Sequence, residues 1–261
     1  MLKQLAILIL LASHAFAGEL MVHPTRVVFD ANTRTAQIDV INSGTETMTY
    51  RISLIRRRMT DTGEFVPVES AAQDERFADE MVRYSPRQVV VPPGGTQAVR
   101  LQLRKPASLE EGEYRSHLLF QALPPVERPR AASSSTDGLE IELTAVYSVS
   151  IPLIVRHGAT AAEVAIRDVA VRDRAVTFLL DRKGTRSVYG DLIVSLRGVR
   201  GAERVLARAN GVAVYTPNAA RRVRIPLPAG VASLAGELRV TFAERAEQQG
   251  RVQAESLVAS R

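Results

Sequence analysis

Leu139 to Val155 reads LEIELTAVYSVSIPLIV. Every odd position is apolar: Leu139, Ile141, Leu143, Ala145, Tyr147, Val149, Ile151, Leu153 and Val155. The even positions are mostly polar, with Glu140, Glu142, Thr144, Ser148 and Ser150. A period of two is the pattern of a β-strand with one apolar face. At ~3.3 Å per residue the run would reach about 55 Å, against ~17–20 Å for an ordinary strand. A sandwich built by a chain of this size would not cover both ends of it. Pro152 lacks an N–H, which favours an edge position or a bulge there. Two readings stand side by side. In one, the strand bends and is buried throughout. In the other, it is an edge strand whose apolar row is offered to another chain by strand addition.

Upstream, the same alternation recurs in shorter pieces. Thr25 to Asp30 (TRVVFD), Thr35 to Ile41 (TAQIDVI) and Thr49 to Ile55 (TYRISLI) are strand-length and rich in β-branched or aromatic residues. Arg87 to Val91, Gln97 to Arg104 and Tyr114 to Leu123 follow, with turn clusters at Asn42-Ser43-Gly44, Asp61-Thr62-Gly63 and Pro92-Pro93-Gly94-Gly95. Ser70 to Gln73 fits a capping box, and Phe77 and Met81 lie one helical turn apart, so Ala71 to Val82 is predicted as a short helix. Pro124 to Gly138 is rich in Pro, Ser and Ala and reads as a surface loop. About seven strands with turns every ten residues or so suggest an immunoglobulin-like sandwich.

Downstream of Arg156-His157-Gly158 the pattern restarts. Ala162 to Ala170, Ala175 to Leu180, Asp191 to Leu196, Val212 to Tyr215, Arg222 to Leu227 and Glu237 to Phe242 are strand candidates for a second β-domain. The tail from Ala246 to Arg261 is weakly patterned and is expected to fray.

The start of the chain has the order of an export signal. A short positive end at Lys3, an apolar run from Leu5 to Ala12 and the small-residue site Ala15-Phe16-Ala17 predict cleavage before about Gly18. The domain reading is therefore a signal peptide over 1–17, an immunoglobulin-like domain over 18–157 that carries the edge strand, and a second sandwich over 158–261. The expected destination is the periplasm.

Composition narrows the function. The 261 residues carry 34 Lys+Arg against 28 Asp+Glu, with 46% apolar residues and no Cys. The absence of Cys excludes a disulfide scaffold, a thiolate metal site and a catalytic thiol. A pI near 10 would ordinarily suggest nucleic acid. Export and the scattering of the charges argue against that partner. No stretch beyond the N-terminus suits a membrane-spanning helix, so stable membrane insertion is not expected. His23, His117 and His157 are far apart in sequence and form no metal-ligand spacing. No nucleophile elbow, P-loop or dinucleotide fingerprint appears. The chain is read as a non-enzyme with no catalytic residues, no metal and no cofactor.

The order of its pieces resembles a known family. Thr25 to Phe29, then Asn42 before a turn, then Tyr84 to Gly94 (YSPRQVVVPPG) and Gln97 to Arg100, then Glu113 to Pro125 (EYRSHLLFQALPP after Gly112), then the long alternating strand, look like the periplasmic pilus-assembly chaperones, the PapD-like family. The match spans most of Val22 to Arg156 and is faint beyond. The resemblance implies an all-β chain of two immunoglobulin-like β-sandwich domains in a boomerang arrangement. It implies an ATP-independent chaperone that binds pilus or fimbrial subunits by donor-strand complementation and delivers them to an outer-membrane usher. A non-chaperone binding module of the same fold is the alternative. The donor strand would use Leu139, Ile141 and Leu143, with Tyr147 engaged in a register shifted by two pleats. Self-association through the same strand is a further expectation. The resemblance also implies that Arg26 anchors the subunit's terminal carboxylate, and that Glu113 and Arg156 form an interdomain salt bridge. The family places a second carboxylate-binding cation, a lysine, where this chain has Pro152, which cannot serve. Another Arg in its place, Arg26 with backbone N–H groups alone, or a different client would each accommodate that departure.

Overall fold

The computed structural model describes residues 20–124, 147–198, 201, 203–229, 236–245 and 253–260. Apart from one 3-10 turn at Asp79–Met81, the regular elements among these residues are all strands. In chain order they are β1 (Leu20–His23), β2 (Val27–Phe29), β3 (Thr35–Asn42), β4 (Met48–Ile55), β5 (Arg57–Met59), β6 (Phe65–Pro67), β7 (Val82–Ser85), β8 (Gln88–Val91), β9 (Thr96–Leu103), β10 (Gly112–Leu123) and β11 (Ser148–His157). There follow β12 (Ala162–Arg172), β13 (Ala175–Gly184), β14 (Val188–Arg197), β15 (Glu203–Val214), β16 (Ala220–Pro226), β17 (Gly236–Glu244) and β18 (Gln253–Ser260).

The first eleven strands make two sheets and a hairpin. One sheet has the order β1-β3-β9-β7, the other β2-β11-β10-β4-β8, and β5 pairs with β6 alone. The remaining strands form β12-β13-β16 and β15-β14-β17-β18. Each pair of sheets closes on an apolar core, which is the immunoglobulin-like architecture that the alternation predicts. The first core gathers Phe29, Ile38, Val40, Tyr50, Leu118, Phe120 and Leu153. The second gathers Leu180, Leu192, Leu238 and Phe242. A buried side chain of this size contributes roughly 1.5–3 kcal/mol.

The two cores meet on shared strands. On β11, Leu153 and Val155 enter the first core while Ile154 between them enters the second. On β2, Val27 and Phe29 belong to the first core, and Val28 packs against the second. The period of two thus divides one strand pair between two sandwiches. The β5–β6 hairpin straps them together: Met59 and Phe65 pack into the second core. Asn218 donates Nδ2 to the Met59 carbonyl at 2.9 Å, and the Arg222 amide donates to Asp61 at 2.6 Å.

Three sequence expectations need correction. The helix over Ala71 to Val82 does not form; only its end winds into the 3-10 turn. Its backbone groups are taken elsewhere. The Arg76 carbonyl accepts from the Arg115 amide at 2.9 Å, and the Ala78 amide donates to Ser116 Oγ at 3.0 Å. The cap-like bond that exists runs from the Ala72 amide to Glu75, which Arg58 also grips. The tail is the second correction: β18 pairs with β17 along its whole length, from Gln253↔Ala243 to Ser260↔Gly236. Leu257 remains exposed there, so weak alternation concealed a strand held by its ladder. The third concerns the long strand. Leu153 to Val155 is flanked on both sides, by β10 and by β2 in parallel, so this end is interior.

Candidate functional site

Ser148 to Pro152 differs from the end of the same strand. Among the described residues it pairs with β10 alone, through Leu118↔Ile151, Leu119↔Ser150 and Phe120↔Val149. The Ala122 amide donates to the Tyr147 carbonyl at 3.2 Å. Hydrogen-bonded pairs alternate along an antiparallel ladder. From Tyr147, that alternation turns the main-chain groups of Val149 and Ile151 toward β10. Those of Ser148 and Ser150 then face the other side. Pro152 is the next residue in that outward series and has no N–H to leave unpaired. Tyr147 is 50% exposed at the head of this rim. Leu139, Ile141 and Leu143 lie outside the described residues.

Beyond the rim, the outer face of the same sheet forms a cleft against the second sandwich. Arg26, just ahead of β2, is half-buried there. Its Nη1 donates to the Tyr215 hydroxyl at 2.6 Å. Its guanidinium carbon sits 4.7 Å from the Tyr189 ring centre and 5.1 Å from that of Tyr215. No carboxylate among the described residues pairs with it, and its Nε and Nη2 are buried without a partner. Arg26 lines a hollow of ≈ 460 Å³ with His23, Pro24, Thr25, Val28, Tyr189 and Arg245. Arg245 is held by Asp191 at 2.9 Å, so its charge is already matched. Arg26 is the cation in that wall with spare donors.

Glu113 and Arg156 are brought together in register across β10 and β11. Arg156 Nε donates to Glu113 Oε2 at 3.1 Å, and both side chains are buried. Glu113 reaches the second sandwich as well. It accepts from the Ser187 amide at 3.1 Å, from the Ser187 hydroxyl, and from Thr216 Oγ1 at 3.5 Å. Burial pushes the Arg156 guanidinium below its ordinary value, and Glu113 opposes that push. The carboxylate is thus the knot between two domains.

Sequence reasoning missed a second group on this face. β10 turns Leu118, Phe120 and Ala122 into the first core. Its alternate residues, Arg115 and His117, are buried on the opposite face. His117 is the direct cross-strand neighbour of Pro152, and Arg115 that of Ile154. Arg115 lies 4.6 Å from the Tyr215 ring centre and 5.8 Å from that of Phe65. His117 stands edge-on to Phe65 at 4.7 Å. Burial, followed by repulsion from Arg115, Arg57 and Arg26, pushes His117 down to about 3, so it is neutral at pH 7. The signal was in the sequence: Glu113, Arg115 and His117 recur every second residue of a strand whose other face is apolar. Such a face must meet something other than a hydrophobic core.

Among the described residues there is no cluster of metal-ligating side chains, and no helix is long and apolar enough to cross a membrane.

Comparison with known proteins gives three results. Residues 19–158 match the family model of the pili and flagellar-assembly chaperones, PapD N-terminal domain. No curated protein matches the sequence. Similar solved structures include the YadV chaperone, at 11% identity and TM-score 0.49, covering 92% of this chain and 100% of that one. The Pseudomonas aeruginosa CupB2 chaperone is 13% identical with TM-score 0.45, over 92% of this chain and 100% of that one. A chain of the Salmonella enterica SafA pilin–SafB chaperone complex is 14% identical with TM-score 0.46, over 92% of this chain and 96% of that one.

Proposed function

Because this chain belongs to the pili and flagellar-assembly chaperone family, we propose that it is a periplasmic, ATP-independent chaperone that lends a strand to pilus or fimbrial subunits and hands them to an outer-membrane usher. The observation that carries the reading is the half-open strand: Ser148 to Pro152 is laddered on one side only, among the described residues, while Leu153 to Val155 is fixed on both. A strand anchored at one end and open at the other is physically suited to complete a partner's sheet. An unfinished sandwich exposes apolar side chains and unpaired backbone groups, which drive aggregation. An added strand satisfies both at once, by main-chain bonds and alternating side chains. In this proposal Leu139, Ile141 and Leu143, which share the odd-numbered apolar positions of Val149, Ile151 and Leu153 in the sequence, would fill the client's groove. The same open strand is where free copies would self-associate.

Arg26 fixes the register in this account. A client's terminal carboxylate entering the hollow would find Arg26 in its wall, and a turn of that side chain would bring the two nitrogens that lack partners to it. Arginine–carboxylate pairing is directional and strong for a polar contact. Glu113 and Arg156 hold the two domains at the angle that keeps this hollow open. Arg26→Ala should weaken subunit capture by at least tenfold. It should move folding stability by less than about 1 kcal/mol, the scale of the cation–π contacts it gives up. Binding measured by titration calorimetry, with thermal unfolding alongside, checks both parts. Unchanged affinity removes Arg26 from the site.

The reading as a whole is tested by co-expression with a cognate subunit. A soluble one-to-one complex is expected. Recovery of the chaperone alone, with the subunit insoluble, would favour the simple binding module.

A further inference from the structure

The buried nitrogens without partners are not scattered. Among the described residues they belong to Arg26, Arg57, Arg115, His117 and Arg221. All five surround the Phe65–Tyr215 pair, whose rings stand 5.8 Å apart. Arg57 Nη1 donates to the Phe65 carbonyl at 3.5 Å, and Arg221 Nη1 to the Ala213 carbonyl at 3.0 Å. No carboxylate among the described residues pairs with any of these four arginines. The acids whose charge reaches Arg115 are bonded elsewhere: Glu113 to Arg156, Ser187 and Thr216, and Glu75 to Arg58. Arg115 is 5% exposed and His117 1% exposed. Buried donors are almost always satisfied in native proteins, and a buried charge without a counter-charge is costly. Every group here can donate, and the four guanidiniums can only donate. Repulsion among like charges adds to the cost, and cation–π contacts with Tyr215 and Phe65 offset only part of it.

We infer that Arg115, with Arg57 and His117 around Phe65, forms a subsite for a compact oxyanion of carboxylate or phosphate size. The subsite lies deeper than the half-exposed Arg26 hollow and does not depend on the chaperone reading. The anion supplies the acceptors that the guanidiniums lack, and Arg115 offers it Nε and Nη1 together. Neutral His117 contributes one N–H. Two sources carry this chemistry: a dissolved small anion, or an acid group of a bound protein.

The test uses the whole mature chain. Thermal unfolding is followed in acetate and in inorganic phosphate, against a bulky sulfonate at equal ionic strength. A saturable rise in midpoint with acetate or phosphate, lost in Arg115→Met and partly kept in Arg115→Lys, establishes a dissolved anion. The imidazole nitrogen shifts of His117 in the unmodified protein should move over the same titration; this reading survives even if Arg115→Met fails to fold. A purely structural arginine would shift the midpoint equally in every salt and leave His117 unmoved. If free anions have no effect, the second arm compares two C-terminally amidated alternating apolar peptides that differ at one internal position, Glu in one and Gln in the other. At least tenfold preference for the acid, lost in Arg115→Met and partly kept in Arg115→Lys, assigns the anion to the bound chain. No anion effect on midpoint or His117, with no dependence of peptide binding on residue 115, overturns the inference. Loss of one-to-one subunit capture by the unmodified protein would instead count against the chaperone reading and leave the anion result standing.

Discussion

Glu113→Ala should cost about 3–5 kcal/mol of folding stability, the range for removing one partner of a buried ion pair. The reason is how many groups lean on this one carboxylate. Arg156 loses the counter-charge that opposes its desolvation. The Ser187 amide and hydroxyl lose their acceptor, in a part of the second sandwich that is itself buried. A surface pair would be worth only ~0–1 kcal/mol, so the size of the loss separates the two cases. Urea unfolding of the single variants and of Glu113→Leu with Arg156→Leu checks it. The double variant should lose less than the sum of the two singles, because it leaves no lone buried charge. A loss below about 1 kcal/mol for Glu113→Ala would mean that water replaces the carboxylate and that the knot does not hold the domains.

Ile141→Glu or Leu143→Glu should abolish subunit capture while leaving the free protein folded. In the proposed complex each side chain is buried in a client groove, which contributes roughly 1.5–3 kcal/mol. The substitution removes that and forces a carboxylate into the same groove, where an unpaired charge is costlier still. The combined penalty exceeds a hundredfold in affinity. On the proposed reading neither side chain is buried in the chain's own core before a client binds, so thermal stability should be unchanged. Gel filtration of the co-expressed pair, with circular dichroism of the variant alone, reads both. A complex that survives both substitutions would rule out lending through these residues.

Much of the fold was legible because alternation survives wherever one face of a strand meets a core. Thr35 to Ile41 and Ala175 to Leu180 needed no tertiary information. The helix expected over Ala71 to Val82 failed because Arg58, Ser116 and the Arg115 amide claim its polar groups across the sheet. That competition is invisible to local pattern. β18 was missed for a related reason, since its ladder to β17 supplies what its composition does not. At the site, the family resemblance names Glu113 and Arg156, which stand 3.1 Å apart on neighbouring strands of one sheet. Arg115 and His117 could not be read from the sequence, because their meaning depends on Phe65 and Tyr215, which come from a hairpin and from the other sandwich. Residues whose surroundings are assembled from three distant segments leave only a hint in any one of them. Here the hint was polar side chains at every second position of a buried strand.

The central claim is that the open rim is filled by a partner's sheet. Backbone hydrogen exchange over residues 139–152 tests it most directly, in the free protein and in its complex with a subunit. The amides of Ser148 and Ser150, facing away from β10, should exchange at least a hundredfold more slowly once the subunit is bound, while those of Leu153 to Val155, already flanked, should hardly change. If the complex forms and the two serine amides exchange as fast as before, the partner docks elsewhere and the strand is not what it receives.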